Sequence, residues 1–471
     1  MTKPGEKLIL SYSDTNAKGE GISPAYLIGS IRSLYPKLEI ENSYCYPENP
    51  EAGIDLFLEK LVQETEKEHE DILEQADETD AMFGELYSWY LRNPEYRSRV
   101  QKLVQSAFAG KPEDIISQSV AKALYGEVSP YSATRLERFA ACAFAHFLQY
   151  GMKLTERVEY EFKPMDMGNV MHGALESFAE EVRKRGMKWT ELTEQERNEI
   201  ADRCLDNIVA DYGNTVLKSS ARNEYMIERT RRILRRTVWA LQKQLEQGEF
   251  QPEGFEVTFG GGRIDRVDIM EDQNKVYVKV IDYKTGNTSF DLVYLYHGLQ
   301  LQLMIYLDGA LRVEQKKYPD KEIIPAGVFY YNIKDPMIQE KIDADVEAVS
   351  AGLIKELKMN GLVQADPELV YRMDSSLGSI PVAFNKDGSF RKNSSVADRT
   401  QFAVLGRYVR TKIEKIRSSI LEGDAEVSPY ELGKKNACTY CPYMTVCGFD
   451  RRLSGYEFRR LKNFSDEELW K

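Results

Sequence analysis

The sequence of 471 residues lacks several features that would direct its interpretation. It has no run of about 18 apolar residues, which a membrane-spanning helix needs, and no signal peptide opens it. It contains no G-x-x-x-x-G-K-[ST] phosphate-binding loop, so we expect no ATPase site in this chain. It has only six cysteines and four histidines, which argues against a disulfide framework. These absences predict a cytoplasmic protein with no membrane partner.

The remaining composition is ordinary for a globular protein. Hydrophobic residues make up 42% of the chain and charged residues 29%. The length exceeds that of a usual single hydrophobic core, which predicts two or more domains. The net charge of -12 argues against a surface largely devoted to nucleic acid, although a local basic groove is compatible with it.

The pattern along the chain predicts two units. The first, 1–123, combines strand-like pieces around one helical segment with a long charged, helical stretch. The second, 124–471, opens on an amphipathic helix capped by Ser129 or Ser132. It continues with further helices, three strand-like segments within 254–286, another helix and another strand. This order predicts an α/β core, a mixed sheet flanked by helices.

One long helix near the middle of the chain is rich in arginine. Two interpretations stay open for it: a solvated face beside an Ile/Leu core stripe, or a contact with the DNA backbone. The arginines concerned are Arg229, Arg231, Arg232, Arg235 and Arg236.

Three ionisable residues interrupt the apolar positions of "GRIDRVDIMEDQNKVYVKVIDYKTG", which has the pattern of two strands and a polar turn. Asp282 and Lys284 are two residues apart, so they project from the same face of their strand. Asp265, on the preceding strand, is placed to lie opposite them. Neighbouring carboxylates repel each other unless a divalent cation neutralises them. A lysine beside such a pair is suited to holding a water or stabilising a phosphoryl transition state.

Three more residues favour a site over a solvated strand face. Downstream, "QLMIY" places Gln302 and Tyr306 on one helical face at i and i+4. Upstream, "GNVMHGALE" contributes His172. A lone helical histidine is ordinarily a core or surface residue, so the argument for His172 depends on its neighbours. The other charges of the stretch are expected to contact solvent or backbone phosphates: Arg263, Arg266 and Asp268.

The cysteines form a metal-ligand pattern. "CTYCPYMTVC" supplies three of them, Cys438, Cys441 and Cys447, in C-x2-C-x5-C spacing. Cys142 is the natural candidate for the fourth ligand, and the alternative is that it is an ordinary core thiol. Zinc and an iron–sulfur cluster both accept four thiolates, and spacing alone leaves the two open. The remaining cysteines, Cys45 and Cys204, are expected to be ordinary buried thiols.

The pattern H…GRID…D-Y-K-T-G…Q-x-x-x-Y resembles the PD-(D/E)XK nucleases of the RecB type. The resemblance implies that Lys284 assists the attacking water, and that Gln302 and Tyr306 support the active site and contact DNA. It implies Mg²⁺ ligation by four groups: His172, Asp265, Asp282 and the Tyr283 carbonyl.

Two other segments resemble the halves of an iron–sulfur staple in the AddB family, the nuclease subunits of bacterial AddAB helicase–nucleases. They are "SPYSATRLERFAACAFAHFLQYG" and "ACTYCPYMTVCGFD". The resemblance implies a 4Fe–4S cluster that ties the start of the nuclease domain, 124–471, to its end. Ala143 departs from the family, which commonly has proline there. The cluster ligands implied are Cys142, Cys438, Cys441 and Cys447.

The opening segment of the chain also resembles AddB proteins, in the last part of their helicase-like region. Residues 1–123 are therefore expected to be a mostly helical helicase-like remnant, and the chain to be the C-terminal part of a longer protein. The family implies a Mg²⁺-dependent DNA exonuclease that cleaves the 5′-ended single strand during double-strand break processing for recombinational repair. Its implied partners are an AddA-type helicase–nuclease subunit, in a heterodimer, and single-stranded and duplex-end DNA.

Two alternatives remain. A stand-alone iron–sulfur exonuclease of the CRISPR-associated type would be a much shorter chain without a helicase-like preamble. A non-catalytic DNA-binding scaffold with a structural metal centre would be expected to have lost part of the set formed by His172, Asp265, Asp282 and Lys284.

Overall fold

The chain divides into two compact units, Met1–Ala109 and Gly110–Lys471. The division lies earlier than residue 123 because Ile116 and the helix that follows it belong with later residues; the Ile116 N–H donates to the Gly423 carbonyl over 2.9 Å. The computed structural model describes residues 10–12, 23–38, 49–51, 53–54, 56–58, 61, 78–107, 115–126, 132–155, 164–211, 220–260, 262–338, 345–452 and 455–470.

The secondary-structure elements described in the first unit are helices. Its helices are α1 (Tyr26–Leu34), α2 (Glu78–Arg92) and α3 (Pro94–Ala107). Its small core gathers residues from α2, α3 and the helical residues between 50 and 61, including Ile54, Phe57, Leu61, Tyr90 and Val100. The strand-like pieces expected near the start of the chain lie almost entirely outside the described residues, as does Cys45.

The second unit contains the predicted helix–strand–strand–strand–helix–strand order. No helix in the described ranges combines the length and apolar character needed to cross a membrane. Its elements are α4 (Gln118–Tyr125), α5 (Ala133–Ala141), α6 (Ala143–His146), α7 (Pro164–Lys184), α8 (Glu194–Asp211), α9 (Ala221–Glu246), β1 (Gln251–Phe259), β2 (Gly262–Asp272), β3 (Lys275–Lys284), α10 (Leu292–His297), α11 (Gln302–Lys317), β4 (Glu322–Asn332), α12 (Val346–Glu356), β5 (Asn360–Gln364), α13 (Pro367–Met373), β6 (Val396–Ala397), α14 (Arg399–Glu422), β7 (Tyr430–Leu432), β8 (Lys435–Asn436), α15 (Met444–Cys447), β9 (Arg459–Arg460) and α16 (Asp466–Leu469).

The helix that opens this unit begins as expected. Ser132 is the N-cap of α5, and its hydroxyl accepts a hydrogen bond from the Arg135 N–H. Such a side chain satisfies one of the free N–H groups of the first turn. Ser129, the other candidate, lies outside the described residues.

A mixed sheet forms the centre of the second unit, which confirms the predicted fold class. In the described ranges its strands follow the order β1-β2-β3-β4-β5-β6. β1, β2 and β3 are antiparallel neighbours. β4 then pairs parallel to β3, and α10 and α11 make the crossover between them. β4 and β5 are antiparallel, and β5 and β6 are parallel.

Helices cover both faces of this sheet. Ile281 and Tyr283 of β3 contribute to a core shared with α7, α8 and α9. Val278 and Val280 of the same strand contribute to a second core, shared with α4, α5, α11 and α14. Alternate residues of a strand point to opposite faces. β3 is therefore buried on both sides, and any charged residue within it needs a partner.

The arginine-rich helix α9 has its charges satisfied largely within the fold. Its Ile/Leu stripe, including Ile233 and Leu234, is buried. Arg231 lies 2.7 Å from Asp206, and Arg232 lies 2.6 Å from Asp335; Arg235 pairs with Asp202. These contacts favour the solvated-face interpretation over a DNA contact.

The expectation that Arg266 and Asp268 contact solvent or phosphate is wrong. Both side chains are almost fully buried, at 2% and 0% exposure. The Arg266 guanidinium donates to both carboxylate oxygens of Asp268, over 2.6 and 2.9 Å, and Lys279 of β3 lies 3.0 Å away. Burial opposes ionisation of Asp268, but the two cations outweigh it and hold the pKa of Asp268 below its usual range.

Removing the Asp268 carboxylate should strongly destabilise the second unit. Asp268→Ala leaves Arg266 and Lys279 buried without their anion, and breaking a buried pair in this way costs about 3–5 kcal/mol. Asp272→Ala is the matched control, because Asp272 lies on the same strand in a more exposed pair with Arg372 and should cost less than about 1 kcal/mol. Urea denaturation measures both, and equal effects would contradict the argument.

Candidate active site

Two buried carboxylates face one another where β2 and β3 pair. The register sets Arg266 opposite Ile281, so the next step brings Asp265 opposite Asp282. Their exposed fractions are 8% and 1%. The Tyr283 N–H donates to Asp265 Oδ2 over 2.7 Å. The two aspartates that the sequence singled out therefore meet on one face of the sheet.

His172 reaches this pair from α7. Its Nδ1 atom lies 3.4 Å from Asp265 Oδ2, and its Nε2 atom lies 3.0 Å from the Tyr283 carbonyl oxygen. Burial by itself lowers the pKa of His172, but the hydrogen bond and the charge of Asp265, with smaller effects from Asp282 and Glu256, raise it overall. The histidine thus lies against both candidate ligands contributed by neighbouring strands.

Glu256 of β1 is a further member of the site that sequence reasoning missed. Its pairing neighbours Phe255 and Val257 lie opposite Arg266 and Ile264, so Glu256 lies opposite Asp265. Its φ of 49° is in the left-handed region, which is unusual for a residue other than glycine. It forms an ion pair with Arg263.

Ligand atoms of His172, Glu256 and Asp265 all lie within 4.8 Å of one another, a grouping able to hold a metal ion. The signal for Glu256 was available in the sequence. "FEVTFGGGRID" is a strand, a glycine turn and a second strand, which places Glu256 beside Asp265 in an antiparallel pair.

Lys284 is oriented by two polar contacts. Its Nζ atom lies 2.6 Å from Asp282 Oδ2 and donates to Gln302 Oε1 over 2.8 Å. The Gln302 side-chain NH₂ in turn donates to the Tyr306 hydroxyl over 2.9 Å. Gln302 and Tyr306 lie one turn apart on α11, so this short chain of hydrogen bonds connects the lysine to the helix.

The surroundings of two carboxylates in this site, those of Asp282 and Glu256, oppose their ionisation. Burial, followed by the nearby Asp265, raises the pKa of Asp282 to about 7, although Lys284 acts in the other direction. Burial, again followed by Asp265, raises the pKa of Glu256 to about 7. A divalent cation would relieve both effects because it favours the ionised forms.

The donor set suits a small hard cation by its chemistry. Carboxylate and carbonyl oxygens are the ligands that Mg²⁺ prefers.

The four cysteines singled out by the sequence line one pocket. It is formed by Cys142, at the C-terminal end of α5, together with Cys438, Cys441 and Cys447. All four are free thiols. Burial and then the neighbouring Cys142, Cys441 and Cys447 raise the pKa of Cys438 to about 12. Cys204 is also buried, but in the hydrophobic core around α8.

Four thiols around one pocket form a donor set that a zinc ion and an iron–sulfur cluster both accept as thiolates.

Comparison with known families gives a match that covers most of the chain. A family model described as "PD-(D/E)XK nuclease superfamily" matches residues 130–448. The matched range includes the carboxylates, the histidine, the lysine and all four cysteines of the pocket.

Curated relatives match along the whole chain. The B subunit of the ATP-dependent helicase/deoxyribonuclease of Lachnoclostridium phytofermentans is 39% identical over 495 residues, which cover 100% of this chain and 42% of that protein. The protein of the same name from Alkaliphilus metalliredigens is 32% identical over 499 residues, covering 100% and 43%. The chain thus spans less than half the length of these relatives, and it matches their C-terminal part.

The raised pKa values predict that metal affinity rises with pH. Asp282 and Glu256, each with a pKa of about 7, pass from roughly one tenth to nine tenths ionised between pH 6 and pH 8. Because protons compete with the metal, the Kd for Mn²⁺ should fall about tenfold for each carboxylate that binds. Calorimetric titration at both pH values measures this.

The same raised pKa values determine whether the folded state becomes more or less stable as pH rises. A carboxyl group whose pKa is raised by folding stabilises the fold below its unfolded pKa, and this contribution is lost as pH rises through its folded pKa. In EDTA, the Tm should therefore fall between about pH 5 and pH 8, and Asp282→Asn should flatten that decline. A Kd for Mn²⁺ that does not change with pH would contradict the assignment of these carboxylates.

Proposed function

The chain belongs to the PD-(D/E)XK nuclease superfamily, and from this premise we propose that it is the Mg²⁺-dependent DNA exonuclease domain of an AddAB-type helicase–nuclease. The observation that carries the proposal is the gathering of His172, Asp265 and the Tyr283 carbonyl around one point, with Asp282 opposite Asp265 in the strand register and Lys284 beside Asp282. A degenerate nuclease acting only as a scaffold would have no need to retain this set.

His172, Asp265, Asp282 and the Tyr283 carbonyl would hold the Mg²⁺ ion. Glu256 is a further candidate, since its carboxylate lies within 4.8 Å of the ligand atoms of His172 and Asp265. When bound, the ion supplies a more acidic water and neutralises charge on the scissile phosphate. The ammonium of Lys284 holds the attacking water and donates to it. Asp282 and Gln302 fix the position of this ammonium, which keeps its N–H groups aimed at the reacting atoms rather than free in solvent.

Gln302 and Tyr306 have a supporting role in this mechanism. Tyr306 accepts the hydrogen bond from the Gln302 amide NH₂, which leaves the amide oxygen facing Lys284. Tyr306 is almost buried and lies edge-on to Phe259, so its own orientation is restricted. We propose that the exposed edge of this pair contacts the DNA strand as it enters.

We further propose that Cys142, Cys438, Cys441 and Cys447 hold a 4Fe–4S cluster. The gathering of all four thiols around one pocket supports it, since iron–sulfur clusters are bound by four thiolates. Other contacts already join the same two ends of the unit: the Tyr443 hydroxyl donates to the Leu154 carbonyl over 2.9 Å. A cluster would close a loop of roughly 300 residues, which stabilises the fold by restricting the unfolded chain.

The biological setting follows from the names of the relatives. Because they are named as the B subunit of a helicase/deoxyribonuclease, we propose an AddA-type subunit as the partner in a heterodimer. Within it, this domain would cleave the 5′-ended single strand during double-strand break processing for recombinational repair. We place a helicase-like remnant in residues 1–123 and the nuclease domain in 124–471.

Asp282→Ala should abolish Mg²⁺-dependent cleavage of single-stranded DNA, with a loss of at least about 1,000-fold. Folding should be unaffected or slightly stabilised, because burial already opposes the charge of this carboxylate. Asp308→Ala is the control, since Asp308 lies on α11 but pairs with surface Arg312 and Arg410. Persistent Mg²⁺-dependent cleavage by the Asp282 variant would rule out the assignment.

Cys441→Ser should remove bound iron, with its visible absorption, and should lower the Tm of the second unit. Cys204→Ala is the matched control, because that thiol is buried outside the four-cysteine pocket and should leave the iron content unchanged. Metal analysis of the purified chain distinguishes the candidates. Stoichiometric zinc, or iron content unaffected by the Cys441 substitution, would be inconsistent with the cluster.

A further inference from the structure

Glu137 joins two helices that are far apart in sequence. It lies on α5, and its Oε1 atom accepts hydrogen bonds from the backbone N–H groups of Leu301, over 2.6 Å, and Gln302, over 2.9 Å. These are the N-cap and first residues of α11. One carboxylate oxygen of α5 thus binds the N-terminus of the helix that carries Gln302 and Tyr306.

α11 has no capping side chain of its own. Its N-cap residue is Leu301, which makes no side-chain hydrogen bond to the first turn. The first N–H groups of a helix lack partners within the helix and carry partial positive charge. Glu137 supplies both the acceptor and the negative charge. Burial raises its pKa to about 7, although both backbone hydrogen bonds act in the opposite direction.

The residue bound by Glu137 is also the residue that orients the catalytic lysine. The Gln302 backbone N–H donates to Glu137, while its side-chain oxygen accepts from Lys284 Nζ over 2.8 Å. A shift in the first turn of α11 would therefore be transmitted directly to Lys284. Displacement of a catalytic group by about 1 Å is enough to reduce rates about 100-fold.

α5 also reaches the four-cysteine pocket, at its C-terminal end. Cys142 is the C-cap residue of α5. Arg138, next to Glu137, lies with its NH2 group 3.8 Å from Cys441 Sγ and its guanidinium carbon 5.6 Å from the centre of the Tyr443 ring. α5 therefore contacts the pocket through Arg138 and Cys142, and it contacts the start of α11 through Glu137.

We propose that Glu137 is a positioning residue, which connects the four-cysteine pocket through α5 to Gln302 and so to Lys284. This rests on the proposed nuclease function for its effect on rate, but the mechanical connection can be measured without it. Loss of a cysteine ligand from the pocket would loosen α5. The first turn of α11 would then be released, and Lys284 would be displaced. The acceptor oxygen of Glu137 is the atom on which the connection depends.

The first measurement is hydrogen–deuterium exchange of the full chain, followed by mass spectrometry on peptides that include Leu301 and Gln302. Glu137→Ala should speed exchange of these two amides at least about tenfold, whereas Glu137→Gln, which keeps an acceptor oxygen, should restore most of the protection. Peptides from β3 and β4 should remain protected in both variants, which verifies folding. Asp366→Ala is the matched control, because Asp366 caps α13 through two backbone N–H groups on a helix without proposed site residues.

The second measurement tests the connection to the cysteines. Cys441→Ser should speed exchange at Leu301 and Gln302 when Glu137 is present, and should add nothing in the Glu137→Ala background. Unchanged exchange in the single Cys441 variant, or equal increases in both backgrounds, would overturn the proposed connection.

The third measurement is cleavage of single-stranded DNA by the same variants. Glu137→Ala should lower kcat about 10- to 100-fold and leave KM within about twofold, with kcat largely recovered in Glu137→Gln and unchanged in Asp366→Ala. An unchanged kcat in Glu137→Ala alongside faster amide exchange would reduce Glu137 to an ordinary helix cap. If the unsubstituted chain has no activity, the proposed function fails, while the exchange measurements still decide the connection.

Discussion

The structure depends above all on the burial of two like charges, Asp265 and Asp282, side by side in a sheet. Two carboxylates in this position repel each other and are separated from water, so the fold is stable there only if cations or hydrogen-bond donors surround them. The structure supplies a histidine from α7, a lysine two residues along β3 and a backbone N–H from Tyr283. The helices that cover the sheet bury both carboxylates, so under the proposed function a divalent cation would supply the remaining counter-charge.

β2 and β3 carry a second charge cluster on their opposite face, and the two clusters differ in their balance of charge. There, Arg266 and Lys279 share the single carboxylate of Asp268, so the anion is fully neutralised and its pKa is lowered. On the active-site face, Asp265 lies beside Asp282, and burial together with this second carboxylate raises the pKa of Asp282 to about 7. A buried carboxylate flanked by two cations does not require a further counter-charge, whereas two neighbouring buried carboxylates favour binding of a cation.

Much of this site was predictable from the sequence because it depends on local rules. The two-residue repeat of a strand puts Asp282 and Lys284 on one face, and the four-residue repeat of a helix aligns Gln302 with Tyr306. The features that the sequence did not predict all depend on long-range packing. Periodicity shows that Arg266 and Asp268 share a face but not that helices cover it, and it gives no sign that Glu137 meets a helix more than 160 residues away. The division into compact units after Ala109 depends on the same kind of contact, such as the one between Ile116 and Gly423.

The candidate active site and the four-cysteine pocket share one electrostatic property, since both bury ionisable side chains beside one another. In each, burial and neighbouring groups disfavour the ionised form of a side chain that would bind a metal when ionised. With the proposed metals bound, metal loading and folding would be linked at both places, since a bound cation would stabilise a folded arrangement that repulsion alone would loosen. α5 contributes Cys142 at one end and Glu137 along its length. Under the proposed connection, a change of state at one centre would reach the other through this helix.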